Sequence, residues 1–402
     1  MKLDLARELS QTASTKIVLC VLDGLGGLAR SSSGKTELEE ANVPNLDQLA
    51  AESELGATMP VGVGITPGSG PGHLALFGYD PLEFDIGRGV LEATGIEFQL
   101  GPNDVAARGN FCTLDPNGEI IDRRAGRIES NRSSKIIELL RTIQIEGVDL
   151  YVELVREHRF VLVLRGDGLG ESVSTTDPQI EGAKPIPAKG KDPASKRTAE
   201  YVNTFVSAAN DLLSKSGEKQ ANGLVLRGFA KVPLLPQLAD IWKLRCAALA
   251  VYPMYRGLAS LAGMETLACP GGMVEQLAVA RDRWNDFDYF FIHYKKTDAA
   301  GEDGDFEAKI KALEEFDKSI PAIRELGADV LMIAGDHSTP AVLAGHSWHP
   351  VPFLLNSANT SLGEARGFSE NSCRAGSLGT FSAKEVLPLA MAHAGRLQKY
   401  GA

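Results

Sequence analysis

Three short stretches of the chain hold residue types that can do chemistry together. Asp336-His-Ser-Thr-Pro-Ala-Val-Leu-Ala-Gly-His-Ser-Trp-His349 carries three of the seven histidines. It follows the apolar run Asp329–Ala334 and Gly335, so the pattern predicts Asp336 and His337 at the carboxyl end of a strand, where open α/β sheets build sites. An Asp-His pair with His346 beyond a glycine turn is a metal-ligand pattern. A surface loop of capping histidines has the same composition, and this cluster alone leaves both readings open. A second turn, Thr297-Asp-Ala-Ala-Gly-Glu-Asp-Gly-Asp305, follows the run Tyr289–His293 and offers Asp298 and Glu302. Asp303 and Asp305 read better as solvated or helix-capping acids. The loop lacks the alternating acids and closing glutamate of an EF-hand.

The third stretch is Ile65-Thr-Pro-Gly-Ser-Gly-Pro-Gly-His-Leu-Ala-Leu76. Its glycines let backbone approach an anion, and the apolar residues after His73 predict a helix whose N-terminus faces Ser69. Gly68, Gly70 and Gly72 alternate, which fits neither phosphate-loop nor dinucleotide spacing, and Pro67 and Pro71 exclude a G-x-S-x-G elbow. Alone, this is better read as a turn with a helix-capping serine than as a nucleophile. Together with Asp23, which ends the run Lys16–Leu22, the three stretches supply the parts of metal-assisted phosphoryl transfer. Divalent cations there would neutralise phosphate charge and lower the pKa of Ser69 for in-line attack.

The elements that must position these groups alternate. Apolar runs at Lys16–Leu22, Gly223–Arg227, Cys246–Val251, Tyr289–His293 and Asp329–Ala334 predict strands. Helical periodicity appears at Ser195–Ser214, Gly271–Asp286 and Glu307–Leu326. The expected fold is α/β, a helix-covered, mainly parallel sheet. Residues 101–191 differ, with short β-like pieces between Asp/Gly/Pro turns and a Pro/Lys-rich tail. They predict a smaller α+β domain inserted into a discontinuous one of 1–100 and 192–402. Asp167-Gly-Leu-Gly170 repeats the tetrapeptide at Asp23 without a Ser/His pattern after it, and reads as a turn.

Lys and Arg total 41 against 52 Asp and Glu, a net charge of −11. That balance argues against nucleic acid or an anionic membrane as partner. A small anionic substrate would need a local cationic cluster. Five cysteines without a C-x-x-C pair fit reduced thiols. Neither a signal-peptide pattern nor a run of about 20 apolar residues is present, so a cytoplasmic protein is expected.

The ordered motifs resemble a family. They include Val21-Leu-Asp-Gly-Leu-Gly26, Gly68-Ser-Gly-Pro-Gly-His-Leu-Ala-Leu-Phe-Gly-Tyr-Asp80, Gly87-Arg-Gly-Val-Leu-Glu-Ala-Thr-Gly95, Asp122-Arg-Arg-Ala-Gly-Arg-Ile128, Gly335-Asp-His-Ser-Thr-Pro340 and His346-Ser-Trp-His-Pro-Val-Pro-Phe353. The chain resembles the alkaline phosphatase superfamily and, within it, the archaeal-type, cofactor-independent (2,3-bisphosphoglycerate-independent) phosphoglycerate mutases. The resemblance implies an alkaline-phosphatase-like fold and a phosphoserine at Ser69. It implies one metal among Asp23, Ser69, Asp336 and His337, and a second held by Asp298 and His346. Glu302 stands where many members have histidine. A ligating carboxylate there would favour Mn²⁺ or Mg²⁺, with Zn²⁺ and Co²⁺ as alternatives. Otherwise His349 or water fills the position.

Phosphoglycerate carries phosphate and carboxylate, for which arginine is the suited partner. Candidates are Arg123, Arg124 and Arg127 in the inserted domain, and Arg227 and Arg256 in the large one, with His158-Arg159 open between ligand and structural roles. The implied reaction interconverts 3- and 2-phosphoglycerate, with water excluded by closure of the inserted domain. The alternatives are a phosphatase or phosphonate hydrolase on the same site, and a metal-binding homologue without catalysis.

Overall fold

The computed structural model describes residues 1–84, 86–269, 271–361 and 367–401. The chain divides into two compact units, Met1–Asp85 with Leu235–Ala402, and Ile86–Leu234.

The first unit is built on an eight-stranded sheet in the order Gly379–Ser382, Glu54–Met59, Val351–Ser357, Val330–Ala334, Ile17–Leu22, Tyr289–Tyr294, Cys246–Leu249 and Glu265–Thr266. Only Val351–Ser357 runs against its neighbours. All six residues of Ile17–Leu22 and all five of Val330–Ala334 are buried, which explains why both read as unbroken apolar runs. One face packs Val18, Cys20, Phe290, Ile292 and Ile333 against Leu46, Leu277, Leu313 and Phe316 from helices. Phe291 turns to the opposite face and meets Phe77, just past the helix Ser69–Leu76, with ring centroids 5.0 Å apart. The expected mainly parallel α/β architecture is what this unit has.

Register places the chemistry. Leu22 lies opposite Tyr294 and Val21 opposite Ala334, so three parallel strands end level with one another. The loops that follow carry Asp23 and the Asp336-His337 pair, and the short helix Lys296–Glu302 carries Asp298. The reversed strand begins at that same edge, Val351 opposite Thr58, and so brings in His346 from the segment before it. The helical stretch Glu307–Leu326 is two helices, Phe306–Asp317 and Ile320–Arg324, the second starting with Pro321 in its first turn.

The second unit is an antiparallel sheet of five strands, Val105–Leu114, Ile120–Asp122, Asp149–Arg156, Arg159–Arg165 and Gly223–Ala230. Val105, Ala107, Phe111, Phe160, Leu162 and Leu226 turn one face to Ile137, Val202, Phe205 and Leu213 of the helices Ser130–Leu140 and Pro193–Lys215. The helix Arg88–Gly95 lies so close to the sheet that a Cβ at Gly89 would come within 2.2 Å of the Ala106 carbonyl oxygen.

These contacts move the boundaries expected at 101 and 191. Gly223–Ala230 pairs with Val105–Leu114 rather than joining the large sheet, and Pro193–Lys215 supplies core to the smaller one. Arg227 therefore belongs to the smaller unit, not to the large one as the apolar run before it suggested.

Candidate metal centre and anion-binding face

The first unit brings together Asp23, Ser69, Asp298, Asp336, His337 and His346. Two groups could each hold a cation: Asp23, Asp336 and His337, all buried, and Asp298, His337 and His346. His337 Nε2 lies 3.4 Å from Asp23 Oδ1 and 3.1 Å from Asp336 Oδ2. Ser69 begins its helix, and its Oγ is 3.1 Å from the same Nε2. His346 Nε2 is 3.6 Å from Asp298 Oδ1, and its Nδ1 faces the Pro67 carbonyl oxygen at 2.9 Å.

Asp23 Oδ1 and Asp336 Oδ2 are buried and accept no hydrogen bond among the described residues, although imidazoles stand at ion-pair distance. Buried carboxylate oxygens without donors suit a divalent cation, and carboxylate with imidazole is a donor set for Mn²⁺, Mg²⁺ or Zn²⁺.

Glu302 sits at the margin. Its side chain is half exposed and its Oε1 is 3.7 Å from His346 Nε2, outside both groups. The His349 ring faces Ser347 Oγ at 3.0 Å.

Electrostatics holds the buried acids ionised. Burial alone would raise the Asp23 pKa, but Lys295, then His293 and His337, hold it well below the usual carboxylate range. Burial and the Asp23 charge both push Asp336 up, and His337 and His73 outweigh them. Burial lowers the pKa of His337, which favours the neutral, ligating imidazole. His73 closes the underside of the site: its Nδ1 is 3.1 Å from Asp336 Oδ2 and 2.8 Å from the Ser69 carbonyl oxygen.

Three participants escaped the sequence reading. Lys295 Nζ donates to Asp23 Oδ2 at 3.0 Å and to Asp298 Oδ2, spanning the two groups. Tyr255 donates its phenol proton to Asp23 Oδ2. Thr339 donates to Asp298 Oδ1 at 2.7 Å. A lysine three residues before Asp298, directly after a strand, was a usable signal for the first. Tyr255 had none, because it arrives on the separate helix Pro253–Leu261.

The second unit carries the opposite charge. Arg108 and Arg227 are cross-strand partners, and Arg159 stands opposite Asn110 on the other side of Arg108. Burial, with Arg159, Arg227 and Arg88 around it, pushes Arg108 down to about 9 against the pull of Glu92. Burial and Arg88, with Arg123 and Arg159, push Arg227 down to about 10. Nε of Arg123, Arg159 and Arg227 and Nδ1 of His158 are buried with no hydrogen-bond partner among the described residues. Burial, then Arg159, Arg108, Arg124 and Arg127, pushes His158 down to about 3.

Like charges paired across strands are unfavourable, and buried donors without acceptors add to the cost. An anion relieves both. Of the predicted arginines, Arg123 is half-buried and paired with Asp177 at 2.8 Å, while Arg124 and Arg127 are exposed on the turn beside His158. Arg256 belongs to the first unit, on the helix Pro253–Leu261 with Tyr255. Arg88, Arg108 and Arg159 complete the cluster, and only Arg159 among them had been singled out.

The five cysteines are all free and buried. Among the described residues no helix is long and apolar enough to cross a membrane.

Comparison with known proteins identifies the family. Residues 50–217 match the family model for 2,3-bisphosphoglycerate-independent phosphoglycerate mutase. A Thermus thermophilus protein named probable 2,3-bisphosphoglycerate-independent phosphoglycerate mutase is 49% identical over 401 residues, 98% of each chain. A Thermotoga neapolitana protein of the same name is 49% identical over 397 residues, again 98% of each. Among solved structures, the cofactor-independent phosphoglycerate mutase of Thermoplasma acidophilum is 28% identical, with TM-score 0.67 over 95% of this chain and 100% of that one. A Pyrococcus horikoshii protein reaches TM-score 0.84 at 29% identity, over 97% and 100%. At this identity over nearly the whole length, the chain belongs to the 2,3-bisphosphoglycerate-independent phosphoglycerate mutase family.

Proposed function

We propose that the chain interconverts 3-phosphoglycerate and 2-phosphoglycerate through a phosphoserine at Ser69. The observation that carries this reading is the placement of Ser69 Oγ at a helix N-terminus, 3.1 Å from His337 Nε2 and beside the buried Asp23, Asp336 and His337 group.

Two divalent cations, Mn²⁺ or Mg²⁺ before Zn²⁺ or Co²⁺, are the proposed cofactors. Asp23, Asp336, His337 and Ser69 would hold the first, and Asp298 and His346 the second, with Glu302 as a further candidate carboxylate. Bound there, they supply Lewis-acid charge that lowers the serine pKa and offsets phosphate charge. The chain's own residues do the rest. Ser69 attacks phosphorus in line and the glycerate oxygen leaves. Backbone N–H groups at the start of Ser69–Leu76 and the Lys295 ammonium attract the phosphoryl oxygens. Glycerate is retained and turned by arginine contacts, and its other hydroxyl takes the phosphoryl group back. Arg123, Arg124, Arg127 and Arg227, together with Arg88, Arg108 and Arg159, recognise the carboxylate and phosphate. Arg256 is a further anion contact on the first unit.

Retention distinguishes a mutase from a phosphatase, because water would otherwise capture the phosphoserine. A coupled assay that follows 2-phosphoglycerate and free phosphate together decides between them. The expected outcome is 2-phosphoglycerate without free phosphate and without added 2,3-bisphosphoglycerate. Release of phosphate as the main product would assign a hydrolase instead. Five buried, free thiols suit a reducing, cytoplasmic setting.

A further inference from the structure

His337 stands in both candidate cation groups, with two ring nitrogens and one tautomer to share between them. Thr339 settles which. Its side chain is fully buried, and its Oγ1 donates to Asp298 Oδ1 at 2.7 Å while lying 2.9 Å from His337 Nδ1. A hydroxyl has one proton. Asp298 is an ion-paired carboxylate, engaged by Lys295 on its other oxygen, so it can only accept. With that proton committed to Asp298, the Thr339 oxygen can only accept from His337, and Nδ1 must be the protonated nitrogen. Nε2 then presents its lone pair to Asp23, Asp336 and Ser69.

The hydroxyl is held in place from several sides. The Thr339 N–H donates to the Gly26 carbonyl at 3.0 Å, and its own carbonyl accepts from the buried Lys309 ammonium at 2.8 Å. Gly24 leaves the room it occupies, since a Cβ there would come within 2.5 Å of Thr339 Oγ1. Gly301 does the same on the carbonyl side, at 2.2 Å. Such close fitting keeps the side chain from rotating to another partner.

We propose that Thr339 is a positioning residue that fixes the His337 tautomer, holding the proton on Nδ1 and leaving the Nε2 lone pair toward Asp23 and Asp336. Metal-ligating histidines are commonly oriented by an acceptor on their other nitrogen. Here the acceptor is a hydroxyl whose proton is spent on a carboxylate of the neighbouring group, so one residue orders both. The inference rests on the reading of Asp23, Asp336 and His337 as metal ligands.

The test uses the full-length, metal-free protein labelled with ¹⁵N-histidine, His337 being assigned by the signals lost in His337→Asn. Long-range ¹H–¹⁵N correlations are expected to place the proton on Nδ1. In Thr339→Val, which keeps the shape and loses the hydroxyl, that tautomer is expected to give way to a mixture. Mn²⁺ affinity by calorimetry is expected to fall roughly 10- to 100-fold, and Thr339→Ser to restore both readouts. A proton on Nε2 in the wild type overturns the proposal. So does a folded Thr339→Val variant with an unchanged tautomer and Mn²⁺ affinity. Should Thr339→Val fail to fold, the wild-type spectrum and the serine variant decide. None of these measurements contains phosphoglycerate, so absent mutase turnover would count against the reaction assigned above and not against the tautomer.

Discussion

The two units bury charge in opposite senses and compensate it to different degrees. In the first, Asp23 and Asp336 meet among imidazoles, and Lys295 spans Asp23 and Asp298 with its ammonium. In the second, Arg108, Arg159 and Arg227 crowd one face of a sheet. The nearby acids are Glu92, 3.6 Å from Arg108, and Asp177 on Arg123. Among the described residues, the acidic cluster contains a counter-cation yet keeps two carboxylate oxygens without donors, while the basic one keeps several buried donors without acceptors. The difference in sign says which ligand each cluster suits, a cation in the first and an anion in the second. Under the proposed function the acid cluster would hold a resident cation, and the basic cluster an anion that comes and goes.

The strongest way to break this comparison is to remove the group on which the chemistry turns. Ser69→Ala is expected to lower turnover by at least about four orders of magnitude, with the fold by circular dichroism unchanged. Substantial remaining mutase activity would sink the phosphoserine scheme.

Arg227→Met probes the other side with a split outcome. Losing one charge-assisted contact, worth about 1.5–3 kcal/mol, should raise KM for 3-phosphoglycerate roughly 10- to 100-fold. In low-salt buffer without anions the same variant should melt a few degrees higher, roughly the size of a 1 kcal/mol relief, because a buried like charge has gone. A variant that loses both affinity and anion-free stability would show Arg227 to be a structural support instead.

The smallest expected effect is an absence. His158 is held to about 3, so its imidazole stays neutral at ordinary pH. Sulfate binding to the second unit, read by calorimetry, should show no step between pH 5 and 8 that disappears in His158→Gln. Stability moves in a defined direction in this window. The unfolded imidazole takes up a proton near about 6.5 that the folded one refuses until about 3. The unfolded state therefore binds more protons, and His158 costs stability progressively as pH falls through that range.

Much of the metal centre was legible because its parts lie in local patterns. Asp23, Asp298 and Asp336-His337 each follow a buried apolar run, and parallel strands announce their carboxyl ends in that way. Ser69 was marked by glycines and by the helix after it. The arginine face was only half legible. Arg108 faces Arg227 through a cross-strand register that no short window reveals, and Arg88 arrives on a helix whose glycine contact with the sheet is tertiary. The misplaced boundary has the same origin. Gly223–Ala230 is an apolar run like those of the large sheet, and only its pairing with Val105–Leu114 shows which sheet it serves. Thr339 was visible as a letter but not as a role, since its importance lies in where one proton points.

The reversed strand Val351–Ser357 sets an order of assembly. It is the partner that Glu54–Met59 pairs with, so an early strand of the large sheet has to wait for nearly the whole chain before that ladder can close. Every strand of the smaller sheet lies within Ile86–Leu234 and is in hand long before then. As the chain emerges from its N-terminus, the arginine-rich face can therefore take shape while the candidate metal centre still lacks Asp298, the Asp336-His337 pair and His346. The candidate cation site gathers its last residue well after every strand of the smaller sheet has emerged.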